Sequence, residues 1–194
     1  NTVSVSIDCS APVITKTVGD PKLPGVGFDW WITQDTNINV LAKDSKDDNA
    51  CNLGLDYCRY TYTVDGNPDP DFATECEGFG GTYDDGWCVF KNGETLNFNF
   101  KFNEDSEHEI KIECYDVAGN KAEINEIDKV DSTPPETTKT VGEPKKIEDG
   151  VEWVDTVTEI TFTSNDPDST GHDCNIGVDK IWYKNVIGPT EESC

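Results

Sequence analysis

The sequence predicts an all-β chain of tandem antiparallel β-sandwich domains held by disulfide bonds. Three observations lead to this fold class. Part of the sequence recurs after 123 residues, short segments alternate polar and apolar residues, and eight cysteines occur without a Cys-x-x-Cys pair. A chain of 194 residues is long enough for two such domains.

The repeat consists of three blocks that keep the same order and the same offset. Chance does not explain three matched blocks in order, so the chain carries two copies of one unit. The matched pairs are Pro12–Lys22 with Pro135–Lys145, Trp30 with Trp153, and Cys51–Asp56 with Cys174–Asp179.

Each unit has the residue alternation of half-buried strands. Gly, Pro, Asp and Asn fill the intervening stretches, as is typical of turns. No segment sustains a period of 3.6, so little helix is expected. The predicted strands include Thr36–Val40 with its counterpart Thr158–Phe162, and Tyr57–Val64, Leu96–Phe102 and His108–Cys114.

The prolines in Ser132–Pro135 predict a domain boundary, because proline cannot join a central strand. Domain 1 then spans 9–131, with an insertion at about 65–93. Domain 2 spans 132–194 and is incomplete, since nothing in it matches Leu96–Asn120. Residues 1–8 resemble the closing strand Glu123–Val130, and we expect them to be the terminal strand of a preceding unit or a donor strand.

Two explanations of the incomplete unit stay open. The chain is an excerpt of a longer polypeptide, or a neighbouring chain supplies the missing strands by β-augmentation. In the second case residues 1–8 are a candidate for the incoming strand.

Ser132–Pro135 at the start of a unit, a Trp before the second strand and Asp116–Asn120 near the end of domain 1 resemble the Ig-like repeats of archaeal and bacterial cell-surface proteins. Those repeats open with Thr-Pro-Pro and carry Asp-x-Ala-Gly-Asn near the last strand. The resemblance covers nearly all of domain 1 and the first half of domain 2. It implies tandem Ig-like domains. Members of that group of repeats serve as spacers, adhesin stalks, surface-layer modules and appendages of secreted enzymes.

The composition excludes some classes of partner. The chain has 39 acidic and 15 basic residues, a formal charge of −24 at pH 7, whereas nucleic-acid binding needs a basic surface. No apolar run is long enough to span a bilayer, so no membrane span is expected in this segment. The expected partners are other copies of the same protein or further repeats of the same chain, with surface glycans as an alternative.

The eight cysteines favour disulfides over zinc, which indicates an extracellular or cell-surface location. Reduced cytosolic thiols are the alternative. Eight cysteines allow many pairings, so other connectivities stay open. The expected pairs are Cys51 with Cys76, Cys174 with Cys194, Cys58 with Cys114 across the two sheets, and Cys9 with Cys88.

Acidic clusters make calcium the one cofactor that the sequence suggests, because calcium binds several oxygen ligands on flexible loops. Neither cluster has the glycine and glutamate spacing of a helix-flanked calcium loop, so a solvated acidic turn is the alternative interpretation. The candidate ligands are Asp44, Asp47, Asp48 and Asp56 in one set, and Asp65, Asn67, Asp69 and Asp71 in the other.

Aromatic residues of the insertion are candidates for partner contact. Phe79, Tyr83 and Trp87 lie in a Gly-rich stretch that is expected to be exposed. The recurring Trp30 and Trp153 are expected to pack in the core instead.

No catalytic centre is expected. Neither His108 nor His172 has a counterpart in the other unit, and no Ser-His-Asp or Cys-His set is indicated. Asp116 is interpreted as a turn residue that binds backbone, with Gly119 supplying a positive φ. A glycosidase carboxylate pair stays open as the residual alternative.

The sequence therefore predicts a structural subunit or segment of an extracellular filament, pilus-like fibre or surface layer that assembles through β-strand pairing between units or chains. The alternative is a cell-surface adhesin or carbohydrate-recognition module that binds through the 65–93 insertion.

Overall fold

The computed structural model describes residues 7–44, 53–91, 93–168, 170–171 and 173–186. Within these residues the chain is β-structure with one short helix, which confirms the all-β class. It divides into two compact units. Unit 1 comprises Asn1–Ser132 with Asp168–Cys174, and unit 2 comprises Thr133–Pro167 with Asn175–Cys194.

Unit 1 has two sheets. Sheet A is antiparallel, in the order β1-β4-β9, and sheet B has the order β2-β3-β11-β10-β5-β8-β7, with β6 paired to β5. The elements are β1 (Val13–Val18), β2 (Lys22–Pro24), β3 (Trp30–Ile32), β4 (Ile38–Lys43), β5 (Leu55–Val64), β6 (Asn67–Pro68), α1 (Phe72–Gly78), β7 (Thr82–Asp84), β8 (Trp87–Lys91), β9 (Thr95–Phe100), β10 (Glu107–Asp116) and β11 (Lys121–Val130).

Alternate residues of both sheets fill the space between them. Ile38, Val40 and Ala42 of β4 are all 0% exposed, as the two-residue period of a core-facing strand requires. Tyr60 of β5 in sheet B is equally buried, and its ring stacks on Phe100 of sheet A with centroids 4.4 Å apart. This contact joins the two sheets, so unit 1 is a sandwich-like structure with one core.

The four strands predicted in unit 1 from residue alternation are confirmed, with shifted ends. Thr36–Val40 corresponds to β4, Tyr57–Val64 to β5, Leu96–Phe102 to β9 and His108–Cys114 to β10. Of residues 1–8, only Ile7 and Asp8 are described, and neither belongs to a strand.

The predicted insertion contains more structure than a loop. It holds β6, α1, β7 and β8, and β8 pairs with β5, so the insertion extends sheet B. The β7-β8 hairpin turns at Asp85-Gly86, where both residues have positive φ. Asp-Gly between two strands is a strong hairpin signal, and the two short flanking strands made it easy to miss.

Unit 2 repeats the first four strands of unit 1. β12 (Glu136–Val141) pairs with β15 (Ile160–Asn165), and β13 (Lys145–Glu148) pairs with β14 (Val151–Val154). β15 is the strand predicted at Thr158–Phe162. Three hydrogen bonds recur at equivalent places: Gly19 N to Asn37 O (2.9 Å) as Gly142 N to Glu159 O (2.9 Å), Thr36 Oγ1 to Pro21 O (2.7 Å) as Thr158 Oγ1 to Pro144 O (2.6 Å), and Gly54 N to Asp44 Oδ2 (2.7 Å) as Gly177 N to Asp166 Oδ2 (2.7 Å).

Candidate functional site

The face of unit 2 that corresponds to the core of unit 1 is exposed. Ile160 and Phe162 of β15 are 46% and 36% exposed, whereas their counterparts Ile38 and Val40 in β4 are 0% exposed. The pairs β1-β4 and β12-β15 have the same register. The difference in exposure therefore does not come from a shift of the strand.

Within unit 1, the corresponding face of β4 is covered by strands that have no counterpart in the described part of unit 2. β9 pairs with β4 and places Phe98 opposite Val40, while β5, β10 and β11 form the facing sheet. Residues 178–186, the equivalent of β5, form no strand. Tyr183 in this segment stacks on Phe162 at 5.7 Å but stays 75% exposed.

Two strand edges of unit 2 are open among the described residues. β15 pairs only with β12, and β14 pairs only with β13. An exposed edge with an apolar face is a template for an added strand, since its backbone N–H and C=O groups can extend the sheet. The β14 and β15 edges and the apolar side chains beside them are here called the open face of unit 2.

The two recurring tryptophans have different surroundings. Trp30 packs against the core of unit 1, as predicted. Trp153, predicted to be buried, is 57% exposed. The reason is that the hairpin before β14 is one residue shorter than the one before β3. Lys22 pairs with Ile32 but Lys145 pairs with Val154, so Trp153 takes the place of Trp31, and Glu152 takes the place of Trp30. Trp153 therefore points to the side of its sheet opposite to Glu152, whose carboxylate lies 3.4 Å from Lys139 Nζ.

The insertion of unit 1 is anchored to sheet B. Cys76 of α1 forms a disulfide with Cys88 of β8. The Tyr62 hydroxyl on β5 contacts the carboxylates of Asp69, at 2.9 Å, and Glu75. Burial and these two carboxylates raise the pKa of Tyr62. The disulfide and the Glu75 contact thus fix the helix, and the Asp69 contact fixes the segment that precedes it.

The three predicted partner-contact residues do not form one surface. Phe79 packs against the core, and Tyr83 is 43% exposed. Tyr83 lies opposite Cys88 across the β7-β8 pair and shares its face. Trp87 is the neighbour of Cys88 in the strand, so it points to the opposite side of the sheet.

Tyr83 lines an open groove of about 650 Å³ between β9 and the β7-β8 hairpin. The groove contains both rings and polar groups, with Phe90 and Phe98 beside Thr82 and Asn97. The exposed lining of the groove is more polar than apolar, so ring faces lie beside hydrogen-bonding groups.

Trp87 contributes to an aromatic cluster on the outer face of sheet B. The Arg59 guanidinium lies 4.1 Å from the centroid of the Trp87 ring, and the rings of Tyr57 and Tyr115 stack at 4.8 Å. All four side chains are partly exposed. A cation held over indole is stabilised by about 0.5–1 kcal/mol at such sites. This contact restrains the side chains of Arg59 and Trp87 on the surface.

Glu113 holds this cluster together. Its Oε2 accepts hydrogen bonds from Arg59 Nε at 2.9 Å, Arg59 Nη2 at 2.6 Å and the Tyr115 hydroxyl at 3.1 Å, and its Oε1 lies 3.3 Å from Lys121 Nζ and 3.1 Å from Lys111 Nζ. Burial alone would raise the pKa of Glu113, but these donors outweigh it and lower the pKa to about 2. The carboxylate is therefore charged at neutral pH.

Among the residues that the structure describes, one group of three carboxylates is close enough to share a cation. The ligand atoms of Asp8, Asp44 and Asp116 lie within 4.8 Å of one another. Asp8 accepts the Leu53 amide at 3.0 Å and Asp44 accepts the Gly54 amide at 2.7 Å. These contacts hold the backbone of Leu53 and Gly54, directly before β5.

The predicted calcium ligands contribute only Asp44 to this group. Asp47 and Asp48 lie outside the described residues, and Asp56 is exposed on β5. Asp116, interpreted as a turn residue, does accept the Asn120 amide at 2.8 Å. This observation confirms its structural role.

The second predicted set makes contacts within turns and, at Asp65, with the start of β10. Asp65 Oδ1 accepts the Glu107 amide at 3.1 Å, Asn67 Nδ2 donates to Asp65 O at 3.0 Å, and Asp69 Oδ1 accepts the Asp71 amide at 2.8 Å. Calcium binding at either set stays a prediction.

The predicted pair Cys58–Cys114 is confirmed, but its expected position across the two sheets is wrong. The two residues face each other on the neighbouring strands β5 and β10 of sheet B, with Cα atoms 4.1 Å apart. That bond joins strands within one sheet. Disulfides place the folded chain in an oxidising environment.

The predicted pairs Cys51–Cys76 and Cys9–Cys88 are wrong, because Cys76 and Cys88 are bonded to each other. The hairpin that carries Cys88 packs beside α1, and residue alternation predicted neither of these elements. Cys51 and Cys194 lie outside the described residues, so the pair Cys174–Cys194 stays a prediction.

Sequence reasoning missed a buried ion cluster in unit 1. The Lys16 side chain is 2% exposed, and its ammonium group contacts Glu126 and Asp128 on β11. The available signal was that a lysine sits among apolar residues at alternate positions of β1 and recurs as Lys139 in the repeated block.

Comparison of the chain with protein-family models, with curated proteins and with solved structures gave no match. Among the described residues, no helix is long and apolar enough to cross a membrane.

Proposed function

We propose that this chain is a structural subunit or segment of an extracellular filament, pilus-like fibre or surface layer, and that it assembles through β-strand pairing at unit 2. The observation that carries the proposal is the open face. β15 has the fold and register of the buried strand β4, yet Phe162 is 36% exposed where Val40 is 0% exposed.

Other features support an extracellular assembly. Two disulfides fix sheet B and its insertion, and such bonds stabilise small domains outside the cell. The charge of −24 opposes non-specific aggregation, so contacts between copies depend on a matched surface. The resemblance to Ig-like surface repeats also supports the proposal, because those proteins contain several such units in series.

The test is self-association of the full chain, measured by sedimentation velocity over a wide concentration range. We expect association of the wild type, and an at least tenfold weaker association for Phe162→Ser, because burial of a Phe side chain contributes about 1.5–3 kcal/mol. Thr163→Ser, on the opposite face of β15, is the matched control. A wild-type chain that stays monomeric at every concentration contradicts the proposal.

A second candidate function is carbohydrate recognition through the insertion. The groove beside Tyr83 and the Trp87 cluster favour it, because ring faces with adjacent polar groups suit sugars. Binding to a glycan array that is lost in Tyr83→Ala or Trp87→Ala, together with a monomeric wild type, would support recognition over assembly.

A further inference from the structure

In unit 1, the buried lysine of the first strand takes its carboxylates from the last strand. The Lys16 side chain is 2% exposed, and its ammonium group contacts Glu126 and, at 2.8 Å, Asp128 of β11. β11 lies parallel to β3, where Trp30 is opposite Asp128 and packs against the core. The strand that closes unit 1 is therefore acidic at this point, and the strand beside it is apolar.

In unit 2, the equivalent lysine takes its carboxylate from the hairpin of its own unit. Lys139 of β12 is the counterpart of Lys16 in β1. The hairpin register puts Glu152 at the place of Trp30, and Glu152 Oε2 lies 3.4 Å from Lys139 Nζ. An added strand with an acid at the place of Asp128 would bring it beside Glu152. Two carboxylates that become buried together are unfavourable, so the face of unit 2 calls for a closing strand without these acids.

Residues 1–8 resemble β11 in sequence but lack its two acids. At the repeat offset of 123 residues, Val3 matches Glu126 and Val5 matches Asp128. The carboxylate that this segment lacks is the one that unit 2 carries in its own hairpin. The two differences from unit 1 compensate each other, because the lysine keeps an acidic partner in both arrangements.

The residue that follows this segment is bound to unit 1. Asp8 accepts hydrogen bonds from the backbone amides of Ser10, at 3.2 Å, and Leu53, at 3.0 Å. Ile7 is 69% exposed, so its side chain is available to a partner. Asp8 matches Asp131 at the repeat offset, and Asp131 is the residue that follows β11. The segment therefore precedes unit 1 as β11 precedes unit 2.

We propose that residues 1–7 of a second copy add to unit 2 as a strand parallel to β14. Val3 and Val5 then cover the ion pair that Glu152 makes with the lysine of β12, and they bring no further charge to it. The inference rests on the proposed function and names the partner of the open face. Each copy follows the one before it as unit 2 follows unit 1 in the chain. Such a head-to-tail contact joins two different surfaces, so it can continue from copy to copy.

The test places two added acids on either face of the segment in the full chain. Val3→Glu with Val5→Asp puts them against Glu152, whereas Ser4→Glu with Ser6→Asp puts them on the opposite face, because side chains alternate along a strand. Both double variants have the same net charge, so general repulsion between the chains is equal. Sedimentation velocity should show at least about tenfold weaker association for the first variant, because its carboxylates become buried beside a like charge.

A further substitution separates charge matching from the loss of two apolar side chains. In the Glu152→Gln background, the lysine of β12 has lost its carboxylate, and the acids of Val3→Glu with Val5→Asp replace it. That chain should associate more tightly than the Glu152→Gln chain with both valines, which reverses the order found with Glu152. Glu148→Gln removes an exposed carboxylate of β13 and is the matched control, which should keep the original order.

Equal association of the two double variants, or an order that Glu152→Gln does not reverse, overturns the inference. If Phe162→Ser weakens association while both double variants associate as the wild type does, the inference fails and the proposed function stands. A wild-type chain that stays monomeric overturns both.

Discussion

Glu113 is the most highly coordinated charged side chain described on the outer face of sheet B. It joins donors from β5, β10 and β11, three neighbouring strands of one sheet. Hydrogen bonds to a charged group are stronger than neutral ones, and the side chain of Glu113 is only 4% exposed. The contacts therefore contribute to folding as well as to the order of the Arg59 and Trp87 surface.

We expect Glu113→Gln to destabilise unit 1 by about 1–3 kcal/mol at pH 7, because Arg59 and the two lysines lose their shared carboxylate. The effect should depend on pH. The folded-state pKa is lowered from 4.5 to about 2, so the stabilisation is fully present above pH 4.5 and is lost as the pH falls towards 2. Urea unfolding at several pH values measures it.

Glu109→Gln is the control, since Glu109 lies on the same face of β10 and is exposed. A difference between Glu113→Gln and the wild type that stays constant from pH 7 to pH 2.5 would contradict the role assigned to the carboxylate.

Residue alternation in Tyr57–Val64 and His108–Cys114 places Cys58 and Cys114 on a core face, and both are buried. It did not predict the partner of each residue, because alternation determines the face of a strand and not which strand lies next to it. For that reason Cys58 and Cys114 were paired correctly but assigned to different sheets. Arg59 is the one arginine of the sequence, and its partner Glu113, 54 residues away, could not be inferred.

The helix and hairpin of the insertion form an element that depends on one small residue. A Cβ atom at Gly81 would lie 2.3 Å from Cys88 Sγ and 2.9 Å from Cys76 Sγ. Glycine alone leaves room for the disulfide at this crossing. The sequence showed a Gly-rich stretch with two cysteines, but the meaning of Gly81 depends on the tertiary contact.

We expect the double variant Cys76→Ser with Cys88→Ser to loosen α1 and β7 while sheet A and the Cys58–Cys114 pair persist. Closing this loop of 12 residues should contribute about 2–3 kcal/mol. Amide hydrogen exchange should therefore show reduced protection at 72–84 and unchanged protection in β4.

Thr74→Ser, at an exposed position of α1, is the control for that measurement. Loss of protection throughout β4 and β10 in the double variant would show that the insertion is part of the global folding unit instead.

At the scale of the whole molecule, the chain combines a strong negative charge with an apolar open face. The repeat offset predicted two copies of one unit, and the recurring loop hydrogen bonds confirm that the first four strands are shared. Sequence alone did not reveal that these strands are covered in one unit and exposed in the other, because exposure depends on the strands that pack against them.

Raising the salt concentration should strengthen self-association. Chains of charge −24 repel one another, and about 0.5 M salt shortens the screening length to less than half of that at about 0.05 M, whereas apolar contacts persist. We expect a several-fold lower dissociation constant at high salt in sedimentation experiments. Weaker association at high salt would instead mean that exposed ion pairs dominate the interface.

The parallel pairing of β3 with β11 has a consequence for biogenesis. Asp29 binds the backbone of Ile127, 98 residues later, so sheet B cannot close until almost all of unit 1 has been synthesised. Contacts this distant in sequence slow folding. The N-terminal strands of unit 1 are thus expected to lack their partners in sheet B for most of the interval in which the unit is made.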